Sequence, residues 1–170
     1  MQLVASLPPA LREGLLRRVP LVETRQAFEN LFRTARFSIK IIAPYVDPTF
    51  TGLLQGVAAP IYLVTTAASG RPPRPNPVLE RCAGLRNLHV RYLEEQKDHA
   101  LMYQAHAKLV LVDGQRAYIG SATLIDTSLH YNLELGLLVD GDAMSIALDA
   151  MFEFLYEHVA VPASRLGGAR

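Results

Sequence analysis

Two pairs of polar residues stand where the chain turns apolar. His106 and Lys108 lie two residues apart at the head of the stretch HAKLVLVD, and Asn132 and Glu134 lie two apart at the head of YNLELGLLVD. Residues two apart on a strand face the same way, so His106 and Lys108 are expected on one side with Val110 and Val112, and Asn132 and Glu134 on one side of a later strand. An imidazole, with an ordinary pKa of about 6.5, can attack as a nucleophile or carry a proton near neutral pH. An ammonium neutralises phosphate oxygens, and a carboxylate sets the tautomer of a histidine and stabilises its cation. Together the three groups suit phosphoryl transfer at one sheet edge. The competing reading is of strand-end side chains that simply reach into solvent.

The elements that would hold these residues follow from the pattern of the chain. Ser6 with Pro8 and Pro9 predicts a helix start, Leu7, Leu11 and Leu15 share a face, and Pro20 stops the element. A second helix is expected over 23–36, where Ala27, Phe28, Leu31, Phe32 and Ala35 recur at helical spacing. Strands are expected over 37–43, 61–66, 87–93, 106–113 and 131–140, with RAYIGS returning after a tight turn at Asp113-Gly114. Asp47-Pro48 and Asn76-Pro77 are helix starts, the second helix ending at Gly84, and Asp142 caps a last helix with a broad apolar stripe. Residues 67–77 and 94–104 are expected as loops. The alternation, followed by clustered strands, gives an α/β fold: a mixed β-sheet flanked by helices on both faces. Domain boundaries are expected at 1–21 for an N-terminal helix, 22–160 for the main domain and 161–170 for a flexible tail.

Composition narrows the function classes. Half of the 170 residues are hydrophobic, and 17 basic residues nearly balance 16 acidic ones, as in an ordinary folded domain rather than a disordered or polyelectrolyte chain. A single cysteine, Cys82, allows no intrachain disulfide and fits a reducing compartment. With neither a signal peptide nor an apolar run of membrane length in the sequence, a cytoplasmic location without stable membrane association is expected. His89, His99, His130 and His158 have no metal-site spacing, and they are taken as structural or surface residues.

The order His106-x-Lys108, four residues, Asp113, six residues, Gly120-Ser121-x-Thr123 resembles the HKD motif of the phospholipase D superfamily. Asn132-x-Glu134 sits where that family carries a similar segment, and FENLFRTARFSIKIIAPYVD is similar to the first helix and strand of its fold, so the likeness runs over 22–159. The single-motif form resembles the bacterial nuclease branch. The leucine-rich N-terminal helix followed by such a domain also resembles phospholipase-D-like components of phage-defence systems.

The resemblance implies a phosphodiesterase needing no metal or other cofactor, with His106, Lys108 and Glu134 catalytic. Since the family joins two motifs at one site, it implies a homodimer whose two His106 residues meet across the twofold axis. One His106 would form a phosphohistidine while the other protonates the leaving oxygen. Lys108, Ser121, Thr123 and Asn132 would contact substrate, and Glu134 would orient the imidazole. Thr123 stands where the family has asparagine and offers one hydroxyl donor in place of two amide donors. Asp113 is read as a turn residue.

Substrate is a separate question, because a fold hosts many activities. Arg71, Arg74, Arg81, Arg86 and Arg91, with Arg12, Arg17 and Arg18, give a local basic bias, and Tyr45 and Tyr103 could stack on bases. DNA or RNA is therefore expected. The alternatives are a weakly active or inactive nucleic-acid-binding subunit, with defence-complex subunits as partners, and a phospholipase.

Overall fold

The computed structural model describes residues 1–68, 75–82, 84–97, 100–141 and 143–166. In chain order the elements are β1 (Gln2–Ser6), α1 (Pro9–Leu16), β2 (Val22–Glu23), α2 (Thr24–Thr34), β3 (Ile39–Ile42), α3 (Pro48–Leu53), β4 (Ile61–Thr65), α4 (Pro77–Arg81) and β5 (Leu88–Tyr92). Then come β6 (Glu94–Lys97), β7 (Ala100–Gln104), β8 (Leu109–Val112), β9 (Arg116–Gly120), α5 (Asp126–His130), β10 (Glu134–Asp140) and α6 (Ala143–Phe154). Eight strands form one sheet in the order β2-β1-β10-β9-β8-β3-β4-β5, and β6 and β7 pair as a separate hairpin. The sheet is mixed: β3, β4 and β5 run parallel, whereas β8, β9 and β10 are antiparallel neighbours, with β8 antiparallel to β3.

Helices cover both faces, as the sequence pattern implies. Ala27, Phe28, Leu31 and Phe32 of α2, with Phe50, Leu79 and Leu129, pack on Val4, Ile39, Ile41, Leu63, Val110 and Tyr118. Phe152 of α6 and Tyr156 in the turn after it pack on Ile42, Val64, Leu109, Leu111, Ala117 and Val139. Strand β8, buried at all four positions, is therefore apolar on both sides. Burying a phenylalanine such as Phe28 or Phe50 stabilises by about 1.5–3 kcal/mol. Lys40 is the polar exception on β3. It reaches α6, with Nζ 2.6 Å from Asp149 Oδ1 and 2.5 Å from Glu153 Oε1.

Local capping explains where the site-bearing segments begin. Asp47 Oδ1 accepts the Thr49 N–H at 2.8 Å, and Asn76 Oδ1 accepts the Val78 N–H at 2.9 Å, so both predicted helix starts are made as expected. The turn after β8 has φ of 55° at Asp113 and 66° at Gly114, the pair of positive values that the centre of a type I′ turn requires, and the Gln115 N–H closes it on the Val112 carbonyl at 3.0 Å. The Asp113 carboxylate also accepts the N–H groups of Arg36, Phe37 and Ser38. It thus ties the entry of β3 to the far end of the β8–β9 hairpin, in agreement with its reading as a structural residue.

Several expectations are corrected. The first 21 residues are more than a helix, because β1 precedes α1 and pairs with β10 inside the main sheet. The expected loop over 94–104 contains the β6–β7 hairpin, and α5 lies between β9 and β10 in a stretch for which the sequence pattern implies no element. The strand expected over 106–113 is confined to Leu109–Val112: the register continued past Ile42–Leu109 sets Ala107 opposite Pro44, a residue just past the end of β3 that has no N–H to continue the ladder. His106 and Lys108 consequently lie outside the strand, in the segment leading into β8, and Asn132 lies before β10. The tail expected from 161 is anchored at its start, where Val161 and Tyr92 exchange backbone hydrogen bonds. Asp142, expected to cap α6, lies outside the described residues.

Candidate active site

The C-terminal end of β9 and the N-terminal end of β10 meet at one edge, with the entry to β8 beside them. Gly120 pairs with Gly136, and the Gly120 N–H donates to the Lys108 carbonyl at 3.4 Å, so the two polar pairs do arrive at the same end of the sheet. Lys108 is half-buried and its Nζ donates to the His106 carbonyl at 2.8 Å, which folds the ammonium back over the segment that carries the imidazole. The His106 side chain is exposed, and among the described residues no hydrogen bond holds its ring.

Glu134 accepts three side-chain hydrogen bonds. Its Oε2 accepts from Ser121 Oγ at 2.5 Å, and its Oε1 accepts from Ser128 Oγ at 2.9 Å and from Asn132 Nδ2 at 3.3 Å. Ser121 is fixed in turn by the strands: its N–H donates to the Leu135 carbonyl at 2.9 Å, and its Oγ accepts the Leu135 N–H at 3.1 Å. Ser128, on α5, is buried and also accepts the Thr123 N–H at 3.0 Å. A carboxylate held by three donors has a fixed direction. The structure thus unites Ser121, Thr123, Asn132 and Glu134, with Lys108 and His106 alongside through the backbone. It does not join Glu134 to His106 by a hydrogen bond.

Thr123 does something different from what its motif position implies. It is buried, and its Oγ1 donates to the Tyr45 carbonyl at 3.0 Å. A hydroxyl has one proton to give. In this arrangement that proton ties the segment after β9 to the segment after β3, and it is not offered to a substrate. Asp47 reinforces the tie, since its N–H donates to the Leu124 carbonyl at 3.3 Å and its Oδ2 accepts the Asp126 N–H at 2.7 Å.

Sequence reasoning missed Ser128 and Tyr118. Ser128 carries no motif signal of its own, in a segment without a strong periodic pattern. Tyr118 had one: Gly120 and Gly136 interrupt apolar strands, and a strand glycine marks close approach of another group. At Gly136 that group is the Tyr118 side chain, and at Gly120 it is the Tyr118 hydroxyl together with the β10 backbone at Leu135 and Gly136; the hydroxyl accepts the Ala122 N–H at 3.0 Å. Burial pushes the phenol up to about 12, the Ala122 N–H opposes the shift and the Glu134 charge adds to it.

Among the described residues, three of the basic side chains singled out from sequence have partners within the chain. Arg12 pairs with Glu23 at 2.7 Å and Arg17 with Glu13 at 2.5 Å, while Arg91 lies 4.4 Å over the Tyr156 ring and 3.7 Å from Glu157. Arg71, Arg74 and His99 lie outside the described residues. Tyr45 and Tyr103 are 49% and 43% exposed. His130 is held between Asp126 and Arg25, His89 stacks on Tyr62, and His158 lies against Phe154. Among the described residues no His, Cys, Asp and Glu side chains group as ligands for a metal ion, and no helix is long and apolar enough to cross a membrane.

Known proteins share both sequence and fold with this chain. A DISARM protein DrmC of Bacillus paralicheniformis is 24% identical over 160 residues, an alignment that takes in 91% of this chain and 63% of that relative's length. Among solved structures, NucT from Helicobacter pylori superimposes with a TM-score of 0.70 at 15% identity, over 94% of this chain and 98% of NucT. Nuc from Salmonella typhimurium, a phospholipase D family member, gives 0.62 at 14% identity, over 94% of each chain. The phosphatidylserine synthase of Haemophilus influenzae gives 0.61 at 14% identity, over 93% of this chain and 38% of that one. The family described as "Cardiolipin synthase, PLD-like domain" matches residues 29–156, which include both polar pairs and the strands that position them; the chain belongs to this phospholipase D-like family.

Proposed function

We propose that the protein is a phosphodiesterase that cleaves DNA or RNA through a phosphohistidine on His106, in a homodimer and without a metal ion. The observation that carries the reading is the Ser121–Glu134–Ser128 hydrogen-bonded set at the sheet end where Lys108 and His106 arrive. Membership of the family supports the reaction class, and the fold shared with NucT and Nuc fits it.

One neutral His106 attacks phosphorus, forming a P–N bond as the P–O bond to the leaving oxygen breaks. His106 of a second copy gives that oxygen its proton, then takes one from the water that cleaves the P–N bond and releases the phosphate product. The two Lys108 ammonium groups neutralise the non-bridging oxygens, and Ser121 and Asn132 border them while holding Glu134. Thr123 keeps its hydrogen bond to Tyr45 and acts by holding the turn. The single buried Cys82 is consistent with a cytoplasmic location. The likeness to a DISARM protein supports a place in phage defence, with other defence-complex subunits as partners.

The experiment is cleavage of single- and double-stranded DNA and of RNA in excess EDTA by the protein and by His106→Ala. Cleavage by the first alone is expected; equal cleavage by both sinks the reading. The commitment of the Thr123 hydroxyl to Tyr45 favours a second reading, a weakly active or inactive subunit that holds a nucleic-acid backbone. A large gain of activity in Thr123→Asn would support it. Release of a lipid headgroup from vesicles by the protein, lost in His106→Ala, would instead identify a phospholipase.

A further inference from the structure

Tyr118 is wholly buried in β9, opposite Val110 on one side and Leu138 on the other. Its ring meets Phe28 of α2 edge-on, with centroids 4.8 Å apart. Toward the site, the side chain crosses two glycines that β9 and β10 set side by side. A Cβ on Gly136 would lie 2.3 Å from Tyr118 Cε2, and one on Gly120 would lie 2.5 Å from the Tyr118 hydroxyl oxygen. Neither glycine has a positive φ, so the need for glycine at both comes from close approach rather than from backbone conformation.

The hydroxyl extends past the end of β9 and accepts the buried Ala122 N–H. Ala122 lies between the two residues that lead to Glu134: Ser121 reaches Oε2 directly, and Thr123 reaches Oε1 through Ser128. We infer that Tyr118 is a positioning residue, whose hydroxyl fixes the 121–123 turn and thereby the direction in which Glu134 presents its carboxylate to the site. A phenylalanine would fill the same space, but it would leave the Ala122 N–H without its acceptor in a dry interior. Because burial keeps the phenol protonated to about pH 12, Tyr118 acts through geometry and exchanges no proton with substrate. The inference rests on the phosphodiesterase reading for its catalytic consequence and stands on the structure alone for its effect on the turn.

The test is Tyr118→Phe, measured in two ways on the full chain. Amide hydrogen exchange at Ala122 should quicken by about tenfold or more while the amides of β8 and β10 keep their protection. With bis(p-nitrophenyl) phosphate, kcat should fall by about tenfold or more and KM stay within about threefold, whereas a purely structural role lowers the thermal midpoint and leaves kcat per folded molecule unchanged. Unchanged exchange at Ala122, or quickened exchange with kcat within about twofold of the parent, overturns the inference. If the parent protein itself cleaves neither this ester nor nucleic acid, the phosphodiesterase reading fails, and the exchange result still decides whether Tyr118 holds the turn. Should Tyr118→Phe not fold, Tyr118→Leu combined with Gly136→Ala replaces part of the lost ring without restoring a hydroxyl, and the same outcomes apply.

Discussion

Thr123 Oγ1 donates to the Tyr45 carbonyl across 78 residues of chain, at 3.0 Å. The bond joins the turn after β9 to the turn after β3, so two walls of one edge of the sheet are fixed to each other. Replacing Thr123 by valine keeps the shape and removes the bond. A stability loss of about 1 kcal/mol is expected, read as a lower urea midpoint at unchanged slope. Thr123→Ser should behave like the parent protein. Equal midpoints for the valine and serine variants would contradict the assignment.

Ser128→Ala should cost more. The Thr123 N–H loses a buried acceptor and Glu134 loses a donor, so about 1–3 kcal/mol of stability is expected to disappear. Cleavage should fall by about tenfold or more in protein that remains folded, because Glu134 then loses one of the three donors that set its direction. A variant as stable and as active as the parent would show that α5 takes no part in the site.

Asp113 predicts a feature of acid unfolding. Its burial acts to raise its pKa, but the N–H groups of Ser38, Phe37 and Arg36 and the charge of Arg116 carry it below the ordinary 3.8. A depressed folded pKa gives stability that is present above the unfolded value and lost as pH falls through the folded one. The stability difference between the parent and Asp113→Asn should therefore shrink as pH is lowered from about 5 to about 2 in a series of urea melts. A difference constant over that range would mean that the carboxylate charge is not what ties β3 to the hairpin.

Lys40 predicts the opposite limb. Burial lowers its pKa, yet hydrogen bonds and charge from Asp149 and Glu153 outweigh burial and raise it above 10.5. A raised folded pKa gives stability that is complete below the unfolded value and lost as pH rises through the folded one. The advantage of the parent over Lys40→Met should hold at neutral pH and decline above about pH 10.5. A constant advantage into strong alkali would assign it to packing of the lysine stem alone.

How much of this was legible in the sequence depends on the range of each interaction. The caps at Asp47 and Asn76 and the turn at Asp113-Gly114 bond within a few residues, and their residue types announced them. The spacing from His106 to Gly120-Ser121 was readable because a hairpin fixes it. Strand β1 was hidden by the stronger helix signal of Pro8 and Pro9, since five residues at the side of β10 have little pattern of their own. The β6–β7 hairpin was hidden because its first strand, EEQK, is wholly polar and only the second, ALMYQ, has strand-like residues. The alternation of His106 and Lys108 continues that of β8, but Pro44 in the segment past β3 ends the ladder first. The roles of Ser128 and Thr123 depend on Glu134 and Tyr45, partners that only the folded chain brings within reach.

The central claim is that His106 bonds to phosphorus. Rapid quenching of the protein with a phosphodiester substrate in alkali, followed by digestion and mass spectrometry, examines it directly, because an N-linked phosphoryl group survives alkali. A phosphoryl or nucleotidyl adduct on the peptide containing His106 is predicted, with no adduct and no turnover in His106→Ala. Turnover by the parent with no adduct on that peptide, together with an undiminished rate in His106→Ala, would contradict it.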